Sequence, residues 1–215
     1  MNIAIGDLHG ESYWRDMLKI PADNYYITGD YFDSFRLSFA KQKNNFIDLI
    51  DEAKRNERLH LCIGNHDLHY LISDWQQYSG FQYKYAAFIK EMVEGALPYL
   101  KAAYQSDSGY VISHAGFTKT FMRETACTSI ADVEQQFRAN LLFLGFNDRC
   151  PDSYGDNIEQ GPLWVRPESL MADYYFPKQI VGHTEFRGGI QRVEEDGTDF
   201  VFVDCTNQGF QWFEF

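Results

Sequence analysis

The sequence predicts an α/β fold in which two β-sheets pack face to face with helices outside. Three observations predict it. Short apolar runs repeatedly end in Gly-Asp or Gly-Asn and open toward helical stretches. The last part of the chain, from Lys178, turns to strand and hairpin patterning. Hydrophobic residues make up 45% of 215 positions, enough to fill the core such a layered fold needs.

The elements follow in order. Ile3-Ala4-Ile5 is a short apolar strand ending at Gly6-Asp7, and Ser12 to Ile20 reads as a short helix stopped by Pro21. Tyr25 to Thr28 is a second strand ending at Gly29-Asp30. From Ser38 to Arg55 apolar residues recur near helical spacing. Leu59 to Ile63 is a third strand, ending at Gly64-Asn65, and His66 to Ser73 continues as a helix. Tyr83 to Ala96 reads as a helix that stops before Pro98. Leu97 to Tyr104 and Tyr110 to Ser113 are expected as strands flanking the turn signal Gln105-Ser106-Asp107-Ser108-Gly109. Val133 to Leu144 is expected as one helix, and Cys150 to Gly161 as a loop. Ile180-Val181 leads into Gly182-His183. Ile190 to Val193 and Phe200 to Val203 form a hairpin around Glu194-Glu195-Asp196-Gly197, and Phe210 to Phe215 is a final edge strand. One domain over residues 1–215 is expected, with room for a cap or insert within 70–110 and 117–175.

The formal charge of −12 argues against nucleic acid as a partner, because phosphate backbones are bound by basic faces. No apolar run approaches a membrane span, so no membrane association is expected. No basic, apolar leader opens the chain, and Cys62, Cys127, Cys150 and Cys205 form no CxxC pair. Free thiols and a cytoplasmic location are the expectation. Nothing indicates the oligomeric state.

Four of the six histidines lie in short clusters with Gly, Asp or Asn: Gly6-Asp7-Leu8-His9-Gly10, Gly64-Asn65-His66-Asp67, His114-Ala115-Gly116 and Gly182-His183-Thr184. Gly29-Asp30-Tyr31-Phe32-Asp33 adds carboxylates. Taken singly, each is more often a turn, because Gly permits positive φ and Asp bonds its own backbone. Taken together, at strand ends, they assemble imidazole, carboxylate and amide oxygen, the donors that hold divalent cations. Ligands of parallel α/β sheets bind at such carboxyl ends.

As an ordered series spanning residues 6 to 184, these motifs resemble the calcineurin-like metallophosphoesterases, and more narrowly the phosphoprotein phosphatase branch with its bacterial and phage members. The resemblance implies the four-layer α/β/β/α metallophosphatase fold. It implies two divalent metal ions, manganese first, with iron or zinc as alternatives. Asp7 and His9 would hold one, Asn65, His114 and His183 the other, and Asp30 would bridge them. A hydroxide between the metals would attack phosphorus. His66 would protonate the leaving oxygen, and Asp33 would orient His66 and favour its charged form. Asp67 is open to a helix-capping role. Trp164-Val165-Arg166-Pro167 resembles the tryptophan-x-arginine element of bacterial members, which makes Arg166 the first phosphate contact, alongside Asn65 and Arg36.

The departures concern phosphate binding. Family members carry Arg-Gly after the second acidic motif, where this chain has Ser34 and Phe35; Arg36 lies next. They often carry arginine before Gly-Asn-His, where this chain has Ile63. The expected activity is phosphomonoester hydrolysis of the serine/threonine-phosphatase type, on a phosphorylated small molecule, nucleotide or phosphoprotein. Gly64-Asn65-His66-Asp67-Leu68-His69 is also similar to the symmetrical diadenosine tetraphosphatases, which keeps hydrolysis of dinucleoside polyphosphates open. His69 is expected either beside His66 or at the surface, and His60 as a satisfied core or edge residue. A metal-binding scaffold without catalysis is the alternative of another class.

Overall fold

The computed structural model describes residues 1–148, 156–205 and 209–215. Its elements run β1 (Asn2–Ile5), α1 (Trp14–Met17), β2 (Asn24–Ile27), α2 (Phe39–Ala53), β3 (Leu59–Cys62), α3 (Asn65–Leu71), α4 (Ala86–Ala96), β4 (Leu100–Lys101), β5 (Ala103–Gln105), β6 (Val111–Ser113), α5 (Lys119–Glu124), α6 (Ile130–Ala139), α7 (Pro167–Ala172), β7 (Lys178–Val181), β8 (Gln191–Glu195), β9 (Thr198–Phe202) and β10 (Phe213–Glu214). They form two five-stranded sheets, ordered β10-β1-β2-β3-β4 and β5-β6-β7-β9-β8. Strands β1 to β4 are parallel, and β10 closes that sheet antiparallel to β1. In the second sheet β6, β7 and β9 are parallel, with antiparallel β5 and β8 at the edges.

The two-residue period of a strand explains the layers. Ile3, Ile5, Tyr25, Ile27, Leu59 and Leu61 point to one face of the first sheet. There they pack with Met17, Phe46, Leu49, Ile89 and Val93 from the helices α1, α2 and α4. The alternate positions Ala4, Tyr26 and Cys62 meet Ile112, Ile180 and Val201 between the sheets. Val181, Phe200 and Phe202 cover the far face of the second sheet with Leu170 of α7. Each fully buried Leu, Ile or Phe contributes about 1.5–3 kcal/mol, so this alternation fixes which strand face is which. The expected two-sheet fold with helices outside is the observed one.

Three expectations need correction. The Ser12–Ile20 helix shortens to Trp14–Met17, with Pro21 barring α geometry at Ile20 and Trp14 and Met17 buried. Leu97 to Tyr104 is not one strand. Leu97–Tyr99 is a 3₁₀ turn around Pro98, then β4 joins the first sheet and β5 the second. The chain changes sheets at Ala102, whose amide donates to the Glu134 carboxylate at 2.9 Å. Val133 to Leu144 is not one helix either. It begins earlier, at the Ser129 capping box, and breaks at Asn140, whose side chain accepts from the Leu142 amide at 3.1 Å. The loop expected over Cys150 to Gly161 lies partly outside the described residues. Cys62, Cys127 and Cys205 are free and buried; Cys150 is outside the described residues. No helix of the described residues is long and apolar enough to cross a membrane.

Candidate metal centre

Parallel strands from both sheets point their carboxyl ends at one place. Asp7 follows β1, Asp30 follows β2, Asn65 follows β3, His114 follows β6 and His183 follows β7. The turns are tight. His9, Asp30, Asp33 and His183 take left-handed backbone at φ 42°, 52°, 64° and 63°. Non-glycine residues rarely adopt that region, and it concentrates where a structure over-determines a functional site. Gly64 and Gly182 are required by close approach: a Cβ at either would overlap the carboxylate of Asp30 or Asp7, respectively. The Gly-Asp, Gly-Asn and Gly-His pairs are therefore packing solutions that let strand ends converge.

The donor atoms face one another. His114 Nε2 lies 2.7 Å from Asn65 Oδ1 and 3.1 Å from His183 Nδ1, which is 3.2 Å from the same Asn65 oxygen. His114 Nε2 and His9 Nε2 lie 3.7 and 3.8 Å from Asp30 Oδ2. Second partners set the tautomers. His114 Nδ1 donates to the Thr28 carbonyl at 3.0 Å, and His9 Nδ1 donates to the Phe32 carbonyl at 2.8 Å. With Nδ1 donating, each ring presents its Nε2 to the neighbouring donor atoms, an arrangement that a shared cation relieves. Burial holds His114 below the usual imidazole range, and burial reinforced by His114 and Arg166 holds His183 well below it. Both rings are neutral, the form that binds metal.

The carboxylates tell the same story. Asp7, Asp30 and His114 are buried with donor atoms within 4.8 Å of one another. Asp7 Oδ1 accepts from Thr28 Oγ1 at 2.8 Å and Oδ2 from the His183 amide at 2.9 Å. Burial first, and then Asp30, push Asp7 well above the usual carboxylate range. Burial pushes Asp30 up too, but the imidazoles of His114, His66 and His9 overcome it and hold it low. Two buried carboxylates this close ionise together only when a cation balances them. The residues fit divalent ions.

Beside the cluster, His66 Nδ1 lies 2.9 Å from Asp33 Oδ2. Burial opposes the charged ring, but Asp30 and Asp33 prevail and raise His66 to about 9. Asp33 is held at about 2, because the hydrogen bond from His66 and the nearby His69 ring offset its burial. Tyr70 Oη donates to Asp33 Oδ1, and Gln82 Nε2 donates to the same atom at 3.2 Å. His69 is fully buried, not at the surface. Its Nδ1 accepts from the Tyr78 amide at 3.3 Å, and its Nε2 sits 2.8 Å from Asp33 Oδ2 but off the N–H axis, an electrostatic contact without a well-aligned hydrogen bond.

The calcineurin-like phosphoesterase family model matches residues 3–184. This chain belongs to the calcineurin-like phosphoesterases. No curated protein matches the sequence. The fold is similar to that of a cold-active protein-tyrosine phosphatase of a psychrophilic Shewanella, at TM-score 0.66 and 15% identity over 95% of this chain and 71% of that one. It is also similar to a serine/threonine phosphatase from Saccharomyces cerevisiae with similarity to human phosphatase PP5, at TM-score 0.55 and 19% identity over 94% of this chain and 66% of that one. The protein is a metal-dependent phosphoesterase, a hydrolase with the two-sheet metallophosphoesterase fold.

Around the centre of this phosphoesterase a cavity of about 370 Å³ is lined by His9, His66 and His183, with Arg166 on its wall. Arg166 Nη1 donates to Thr184 Oγ1 at 3.1 Å. Arg36 also borders the cavity, but its guanidinium lies 3.5 Å from Glu11 and is half exposed. His60 is satisfied as expected, with Nε2 3.1 Å from Asn24 Oδ1 and its ring stacked on Tyr26.

Two acidic residues exceed what the motifs of this family predicted. Asp204 follows β9 and lines the cavity, and burial, then Asp7, push its carboxyl well up. No Gly-Asp signature marks it; only its place after the apolar run Phe200–Val203 hints at it. Asp67 caps α3 and does more. Its two oxygens accept from the amides of Asp30 and Gly64 at 2.9 Å each and of Tyr31 at 2.8 Å, tying the turn after β2 to that after β3. Asp67→Ala leaves three buried amides without partners and is expected to cost on the order of 2–4 kcal/mol in chemical denaturation. A loss under about 0.5 kcal/mol, the range of ordinary surface changes, would show that the strut is dispensable.

Proposed function

We propose that this chain hydrolyses phosphomonoesters with two divalent ions, manganese first, in the manner of the serine/threonine phosphatases. Asp7, His9 and Asp30 would hold one ion, and Asp30, Asn65, His114 and His183 the other. The observation that carries this reading is the convergence of Asn65 Oδ1, His114 Nε2 and His183 Nδ1 at 2.7–3.2 Å, with the charged His66–Asp33 pair beside them. When bound, the ions supply a nucleophile at neutral pH and charge for the phosphate oxygens.

The protein's own groups do the rest. Arg166, steadied by Thr184, clamps phosphate oxygens, with Asn65 and Arg36 as further contacts. His66 gives its proton to the leaving oxygen, which departs as the alcohol, and Asp33 keeps the ring turned toward it. Residues 1–215 act as one catalytic domain, with segments 70–110 and 117–175 contributing Ser79 and Arg166 to the wall. Free buried thiols support a cytoplasmic location.

The cavity supports a monoester. About 370 Å³ lies near the lower end of small-molecule sites, small for a dinucleoside polyphosphate. The second reading, hydrolysis of diadenosine polyphosphates, comes from the likeness of Gly64-Asn65-His66-Asp67-Leu68-His69, whose last residue is buried against Asp33. The test is turnover after chelation and Mn²⁺ addition, on p-nitrophenyl phosphate and then on phosphopeptides, nucleotides and diadenosine polyphosphates. Metal-dependent release from monoesters is expected. No metal-dependent turnover of any of them sinks the reading in favour of a binding scaffold, and turnover confined to diadenosine polyphosphates favours the second reading.

A further inference from the structure

Phe35 stands 86% exposed at the mouth of the catalytic cavity. A large aromatic side chain left in water gains nothing for folding, and this one is not on a slack loop. The Ser34 amide donates to Gln42 Oε1 at 3.2 Å, and Ser34 Oγ accepts from the amides of Arg36 and Leu37 at 3.2 and 3.0 Å. The turn that carries the ring is thereby held in place.

The ring's neighbours place it relative to the chemistry. A Cβ built on Gly80 would lie 3.5 Å from Phe35 Cζ and 3.1 Å from Asp33 Cβ, so both side chains flank one spot. Asp33 in turn holds His66 at 2.9 Å. Since His66 is the group placed to protonate the leaving oxygen, whatever that oxygen is attached to lies on the His66 side, the side where Phe35 presents its ring. The cavity, at about 370 Å³, has room beyond the phosphate but opens onto this ring instead of enclosing a large ligand.

We propose that Phe35 is the platform for the leaving group and that it selects aryl phosphates, in which a flat ring is bonded directly to the phosphate oxygen, over alkyl phosphates of the phosphoserine kind. The proposal rests on the phosphomonoesterase reading and names its substrate class. A ring attached to the leaving oxygen reaches Phe35 directly, and offset or edge contact between two rings adds attraction that an alkyl chain lacks. Ser34 and Phe35, which stand where family members carry Arg-Gly, thus exchange a charged phosphate clamp for recognition of the ester's organic half.

The test uses two non-hydrolysable probes, phenylphosphonate and methylphosphonate, titrated calorimetrically into the Mn²⁺-loaded protein, alongside turnover of phosphotyrosine and phosphoserine. The wild type is expected to bind phenylphosphonate about tenfold more tightly, the scale of one aromatic stacking contact. Phe35→Ala is expected to erase that preference through the aryl probe alone, and Phe35→Trp to keep it. A wild type that binds the two probes equally or binds neither, a preference untouched in Phe35→Ala, or an equal loss for both probes each overturns the proposal. Should the aryl preference and its loss in Phe35→Ala be observed without turnover of any ester, Phe35 stands as the platform and the phosphomonoesterase reading fails. Turnover of both esters with no aryl preference fails Phe35 alone.

Discussion

Asp30→Asn is expected to remove turnover of p-nitrophenyl phosphate by on the order of a thousandfold or more, since it strips charge from the carboxylate proposed to bridge the ions. The substitution is nearly isosteric, and Asn tolerates the left-handed backbone that Asp30 adopts at φ 52°. Oδ1 still accepts from the His66 amide, the 2.9 Å bond that ties the turn after β2 to the start of α3. What changes is Oδ2, which faces His9 and His114. An amide there loses the negative charge and can turn an N–H toward the two imidazoles. The fold gives an independent readout. Asp7 and Asp30 repel each other in the metal-free protein, and burial already drives Asp7 far up. The imidazoles of His114, His66 and His9 hold Asp30 ionised, however, so removing its charge is expected to lower the metal-free melting temperature. The rise that Mn²⁺ produces in the wild type, which follows the logarithm of ion concentration over its dissociation constant, is expected to disappear. A variant that loses activity yet keeps the full Mn²⁺-induced shift would show that Asp30 does not bind the ions.

How far the sequence carried this result depends on how local the physics is. The strand-end turns were legible because each packs against its neighbours by steric necessity. Gly64 and Gly182 leave room for Asp30 and Asp7, and that necessity writes itself as Gly-Asp, Gly-Asn and Gly-His. The layers were legible because Ile3-Ala4-Ile5 and its counterparts alternate. What escaped was decided at a distance. The change of sheet at Ala102 depends on Glu134 of α6, and the end of that helix depends on Asn140 bonding its own turn. Short α5 and α7 carry too few turns to show periodicity, although Thr118 caps the first and Pro167 opens the second. In the site, Asp204 lacks a flanking glycine motif. Besides His66, Asp33 is held by Tyr70 of α3 and by Gln82 beyond it, and no spacing in the chain announces those two. The exposure of Phe35 is likewise a property of the fold; its apolar character alone would have placed it in the core.

His66→Asn is expected to lower kcat by about 10²–10⁴-fold for esters with poor leaving groups, the usual contribution of a positioned general acid. The effect should shrink toward unity for 2,4-dinitrophenyl phosphate, whose leaving oxygen departs without a proton. That gradient separates an acid from a residue that merely holds the site together, which would depress all substrates alike. The pH profile gives a second, signed expectation. A raised His66 keeps its proton at neutral pH and loses it as pH rises, so the acid contributes below its own pKa and fades above it. In the metal-free protein that pKa is about 9, and Asp30 is the first of the groups that raise it, ahead of Asp33. Cations held on Asp30 as proposed would cancel its part of the pull and leave the Asp33 hydrogen bond. The alkaline limb of kcat for a poor leaving group is therefore expected between the ordinary imidazole value of 6.5 and about 9. His66→Asn should lose that limb, and Asp33→Asn should move it toward 6.5 because the ring then keeps its place without its counter-ion. A limb that survives unchanged in His66→Asn would assign the titration to another group and leave His66 without its acid role.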